Sequence, residues 1–126
     1  MFFDELNLTA IIIGGLLYMI YGGIYYSITV GKKTAEIKQS KGPAKYIVSV
    51  IIAFISSFVI GMLIQVIGSD SLLGGVAVGA AIGVLITLLY LKNTLFGLIP
   101  IRSFAIAAGD HLVVFTLLGL VHGILN

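Results

Sequence analysis

Four stretches of this 126-residue chain run for about 20 residues with almost no charge, at about residues 8–30, 46–67, 72–91 and 103–125. An α-helix rises about 1.5 Å per residue, so roughly 20 residues cross the ~30 Å hydrocarbon core of a bilayer. No water is present there to bond free backbone N–H and C=O groups. A spanning segment must therefore close its own hydrogen bonds as a helix, or sit in a closed barrel. The period-two alternation of a barrel strand is absent, which leaves helices. Charged residues make up only 10% of the chain and the mean hydropathy is +1.20. A soluble domain carries about 25% charged residues, so this chain has too little charge to cover a water-facing surface. The expected fold is all-α: one domain over residues 1–126, an integral membrane bundle of four transmembrane helices, with the lipid bilayer as its first partner.

Charge sets the expected orientation. Lys32, Lys33, Lys38, Lys41 and Lys45 lie between the first two runs, and Lys92 and Arg102 flank the link between the last two. Asp4, Glu5 and Asp70 lie in the N-terminal segment and the middle turn, which hold no basic residue. Cytoplasmic loops carry an excess of Lys and Arg, so both basic loops are expected inside and both termini outside. The lysines read as topology signals rather than as an anionic-lipid site. The acidic N-terminus lacks the positive region of a secretory signal, so the first run is expected to stay as a membrane helix. The location expected is the inner, cytoplasmic membrane of a bacterial cell, as a multi-pass protein. Pro43 suits the first turn of the second helix. The apolar link from Lys92 to Arg102 is expected in the interface or as a short re-entrant turn. A net charge of +2 gives no reason to expect nucleic acid. With no cysteine, disulfides, thiolate metal sites and cysteine nucleophiles are excluded.

The third run carries Gly75, Gly79 and Gly83 at intervals of four. That interval keeps small residues on one helix face, where backbones can approach closely in lipid. The seam serves either packing within the chain or self-association, and a homo-oligomer, most simply a dimer, is expected. Gly119 and Gly123 on the fourth run, and Gly15 and Gly22 on the first, repeat the pattern more weakly.

Asp110 and His111 break the fourth run. A carboxylate at the centre of a membrane helix costs about 2.5–3.5 kcal/mol on insertion scales, so it needs a partner, a proton or a task. Counting from the basic ends at about 1.5 Å per residue puts Asp110 roughly 10 Å deep. Tyr21, Tyr25, Ser56 and Thr87 fall in the same half of their helices. Tyr18, Tyr21 and Tyr25 share one helix face, and that face is the expected partner of Asp110 and His111. The functional reading is a site that binds a ligand or a proton: burial disfavours an ionised carboxyl, and histidine titrates near neutrality. The structural reading is a polar layer that locks helix register. His122 lies roughly 16 Å beyond His111, too far to share one metal ion, and reads as an interfacial residue. No metal or cofactor is expected, and no hydrolase, zinc-protease or phosphate-loop signature points to an enzyme.

Three segments carry a resemblance: Gly22-Gly23-Ile24-Tyr25-Tyr26-Ser27, the Leu95-Phe96 to Pro100-Ile101-Arg102 segment, and Gly109-Asp110-His111-Leu112-Val113 with Gly119. Together the chain resembles the domain-of-unknown-function 1761 family of small bacterial four-helix membrane proteins. Tyr25 stands where that family usually has tryptophan, Gly97 and Leu98 replace polar residues, and Asp110 falls where an aromatic is common. The resemblance implies the four-helix fold and no particular activity. The function expected from the residues is transporter- or channel-like, with a protonatable polar site in the cytoplasmic half. The alternatives are a structural or regulatory membrane-interaction protein and, more weakly, a haem- or quinone-linked redox protein resting on His111 and His122.

Overall fold

A computed structural model describes residues 7–29, 42–68 and 71–125. Among them it forms four helices: α1 (Leu8–Thr29), α2 (Ala44–Ile67), α3 (Leu72–Leu95) and α4 (Ile101–Leu125). All four are long and apolar enough to cross a membrane. Lys32, Lys33, Lys38 and Lys41 lie outside the described residues, while Lys45, Lys92 and Arg102 stand at the ends of α2, α3 and α4 that share one end of the bundle.

Local chemistry sets the helix ends. The Asn7 side-chain oxygen accepts the Ala10 N–H at 3.0 Å and caps α1, and Ser71 accepts the Gly74 N–H at 3.0 Å and caps α3. Pro43 is the N-cap of α2 rather than a first-turn residue. Gly68 closes α2 in the left-handed region at φ 81°, with its N–H on the Ile64 carbonyl. α3 runs four residues beyond the apolar stretch because Lys92, Asn93 and Thr94 all tolerate helix. The chain then turns at Gly97, φ 82°, ahead of Pro100. The residues between α3 and α4, expected in the interface or as a re-entrant turn, form a short link with Phe96 and Leu98 exposed.

α4 is the central element and packs on the other three helices. Its contact with α3 is the closest in the molecule. Gly75 and Gly79 meet Gly119, Gly123 and the Phe115 carbonyl, and Gly83 meets the backbone of His111 and Leu112. A methyl group at Gly75, Gly79 or Gly119 would run into backbone of the facing helix. The seam read on α3 thus serves packing within the chain, and its partner is the glycine pair on α4. Within the chain, α4 covers this face. The core beside it holds Ile60 and Ile64 from α2 with Val114, Phe115 and Leu118 from α4.

The two halves of the bundle differ. The buried residues of α2 are Ala53, Ser57, Ile60, Gly61 and Ile64, all past its midpoint or close to it. From Ala44 to Ile52 none is buried. α1 likewise buries Ala10, Gly14 and Gly15, far from its basic end. The bundle is closed at the end remote from the lysines and parts at the basic end, which leaves a cleft among the helices.

Candidate functional site

The cleft has a volume of about 990 Å³ and draws on all four helices. Lys45, Tyr46 and Ser49 of α2 line its wall near the basic end, where the Lys45 ammonium lies 5.1 Å from the centre of the Tyr46 ring. Gly22 and Gly23 line the α1 wall, and a methyl group at either would meet nothing within 4 Å. Deeper in, Tyr18, Tyr26, Tyr90, Asp110 and His111 come together.

Asp110 is 4% exposed. Its Oδ2 accepts a hydrogen bond from the Tyr26 hydroxyl at 2.7 Å. Its Oδ1 is buried and has no hydrogen-bond partner. Most buried polar atoms are paired, so such an oxygen calls for an explanation. His111 Nδ1 lies 2.8 Å from the Ala107 carbonyl, which can only accept, so the geometry assigns the proton to Nδ1. The other ring nitrogen, Nε2, lies 3.8 Å from Asp110 Oδ2. The ring is held flat between Tyr90 and Phe115, with centroids at 5.3 Å and 6.3 Å. In its neutral form Nε2 offers a lone pair to the carboxyl, and in its charged form an N–H. The two side chains can thus trade a proton after small movements.

The structure distributes the other expected residues differently. Tyr21 donates to the Gly109 carbonyl at 3.0 Å and Tyr25 to the Ile106 carbonyl at 2.7 Å. They stack on each other, centroids 5.5 Å apart, and tie α1 to the α4 backbone beside Asp110 rather than to its carboxylate. The close approach needs Gly109, whose missing side chain makes room for the Tyr25 hydroxyl. Tyr26 supplies the hydroxyl on the acid, although it lies off the face shared by Tyr18, Tyr21 and Tyr25. Ser56 is half-buried on α2 and does not line the cleft. Thr87 bonds the Gly83 carbonyl of its own helix at 2.8 Å and does not line the cleft.

A second polar group closes the far end. His122 is 0% exposed, which corrects its reading as an interfacial residue. Its ring fills the notch left by Gly61, and its Nε2 lies 3.1 Å from Ser57 Oγ. Ser57 spends its one hydrogen on the Ile11 carbonyl at 2.8 Å, so the histidine is the donor in the Ser57–His122 bond. The Asn7 side chain adds a bond to the Leu125 carbonyl at 2.8 Å. His111 and His122 thus belong to opposite ends of the bundle, each tied to its own partners, and do not converge on one group. Among the described residues no three His, Cys, Asp or Glu side chains gather as a metal site.

The chain belongs to the family described as protein of unknown function (DUF1761), whose model matches residues 9–123, nearly its whole length. No curated protein and no solved structure matches it. Membership agrees with the resemblance carried by the glycine–tyrosine, leucine–phenylalanine and histidine segments. The family has no assigned activity, and what this chain can do follows from the cleft.

Proposed function

We propose that this protein is a small multi-pass membrane protein of transporter-like or channel-like type, not an enzyme, whose working group is the Asp110–His111 pair at the foot of the cleft. The observation that carries the reading is the unpartnered Oδ1 of a nearly buried carboxyl that lines a cleft of about 990 Å³. An acid kept only for packing gains by having both oxygens satisfied, since a buried acceptor left unpaired costs about 1–3 kcal/mol. A binding site keeps one oxygen for its ligand.

In this reading the lysine-bearing end faces the cytoplasm, where the positive-inside rule puts it. The cleft admits ligand and protons from that side. Asp110 takes or yields a proton, His111 holds the exchange partner 3.8 Å away, and Tyr26 fixes the carboxyl by its hydroxyl. The titratable groups facing Asp110 are Tyr18 and Tyr26 on α1, Tyr90 on α3 and His111 on α4, with Lys45 of α2 at the cleft wall. The closed far end, built from the glycine seam and the Ser57–His122 bond, is the barrier that a transport cycle must open.

The experiment is proton-linked flux in liposomes that hold the purified chain. Wild type is expected to move protons or a co-substrate down an imposed pH gradient, and Asp110→Asn to lose that flux while keeping its helix content and elution volume. A second reading, a structural or regulatory protein, is favoured by one observation: Tyr21 and Tyr25 bond backbone carbonyls of α4 and lock its register. It wins if Asp110→Asn unfolds the bundle, or if wild type and variant liposomes behave alike.

A further inference from the structure

The geometry points to a lipophilic organic cation as the ligand of the cleft, its charge on Asp110 and its body among the tyrosine rings. This rests on the preceding reading that the cleft is a binding site, and it names the class of ligand.

Each part of the cleft selects against another class. A small metal ion needs several oxygen or nitrogen donors to replace its hydration shell. The site offers one carboxyl, and no cluster of metal-ligating side chains occurs among the described residues. An anion could meet Lys45 at the outer wall, but at depth the unpaired Oδ1 of Asp110, an acceptor, offers it nothing. A neutral apolar molecule would leave Oδ1 buried and unpaired. An organic cation with an apolar body satisfies all three features. The carboxylate holds its charge without demanding a full coordination shell. Tyr18, Tyr26 and Tyr90 present rings around the same space, where a cation over a ring face gains attraction. Met19, Ile106 and Ala107 take up the apolar part. The volume of about 990 Å³ lies at the upper end of the range usual for small-molecule pockets, roughly 300–1,000 Å³. The open space beside Gly22 and Gly23 leaves room for a bulky group against α1.

Exchange follows from the same geometry. A permanent cation and a proton compete for Asp110, so binding of one releases the other, with His111 as the adjacent proton acceptor. No bond to the ligand forms or breaks.

The test uses the full chain in detergent micelles and tetraphenylphosphonium, with tetraphenylborate as the anion of the same shape. Equilibrium dialysis should show saturable binding of the cation to wild type and little of the anion. Asp110→Asn should weaken cation binding at least tenfold. Tyr90→Leu should weaken it roughly 3- to 30-fold, the span of one cation–ring contact from exposed to desolvated. Gly23→Leu, whose side chain enters open space, should abolish it with the elution volume unchanged, and it decides the matter if Asp110→Asn aggregates. Equal affinity of wild type, Asp110→Asn and Gly23→Leu would overturn the proposal, as would equal binding of cation and anion. Absence of saturable cation binding beside Asp110-dependent proton flux would overturn the ligand class and leave the proton site standing. Asp110-dependent cation binding without flux would uphold the ligand class and remove transport.

Discussion

Gly119→Ala is the sharpest probe of the packing that shapes the cleft. A Cβ built at Gly119 collides with the Gly75 carbonyl oxygen, and lies 2.9 Å from the Gly75 carbonyl carbon and 3.0 Å from the Gly79 Cα. These are backbone atoms within a helix and cannot swing aside as a side-chain tip can. The helices must separate, and the loss spreads along the seam. Overpacking of this kind costs about 1–3 kcal/mol, against a helix-propensity gain for alanine over glycine of up to ~1 kcal/mol. The net expectation is a destabilisation of about 1–2 kcal/mol. Gly23→Ala makes the same chemical change where nothing lies within 4 Å, so it should be neutral or stabilise by up to ~1 kcal/mol. The two variants should therefore differ by about 1–3 kcal/mol, because the propensity gain is common to both and the overpacking cost is not. Unfolding in mixed micelles by added SDS, followed by far-ultraviolet circular dichroism, reads that difference. Equal midpoints for Gly119→Ala and Gly23→Ala would refute the close α3–α4 crossing.

Three more outcomes follow from named bonds. Ser57→Ala leaves the His122 N–H unpaired in a fully buried site and should cost about 1–3 kcal/mol in the same unfolding assay, whereas Ser49→Ala, exposed and bonded only to its own helix, should change little. Asn7→Ala removes the α1 cap and the tie to Leu125, so a loss of about 0.5–2 kcal/mol is expected, with faster hydrogen exchange at the start of α1. Tyr26→Phe removes the hydroxyl on Asp110 and should reduce proton-linked flux more than Tyr21→Phe, whose hydroxyl bonds a backbone carbonyl; the reverse order would place the working contact elsewhere.

Much of the fold was legible because lipid allows so few backbone solutions. A run of 20 apolar residues has one outcome, so four runs meant four helices, with bounds moved by a few residues where polar residues continued a helix. The glycine stripe of Gly75, Gly79 and Gly83 revealed a close-packing face but not what packs there. A four-residue period describes one surface, and only the fold showed that Gly119 and Gly123 answer it. Depth counting brought Asp110 and His111 to the right half of the bundle. It erred on the hydroxyl because Tyr26 sits about 100° around α1 from Tyr25, off the face defined by the other tyrosines. The signal available was depth alone: Tyr26 is the tyrosine of α1 nearest the basic end. His122 was misjudged for a related reason. Ser57 and Gly61, four apart on α2, form a small-residue notch that accepts an imidazole, and a polar residue near a helix end can turn inward when such a notch faces it.

The central claim is that Asp110 is a switchable group open to exchange, rather than a fixed strut. The infrared C=O stretch of its protonated carboxyl tests this most directly, assigned by difference between wild type and Asp110→Asn in the membrane-embedded chain. A switchable Asp110 gives a band that fades as pH rises and that also fades when tetraphenylphosphonium is added at constant pH. A band that stays unchanged under both treatments, or a carboxyl found in one protonation state throughout, would contradict it.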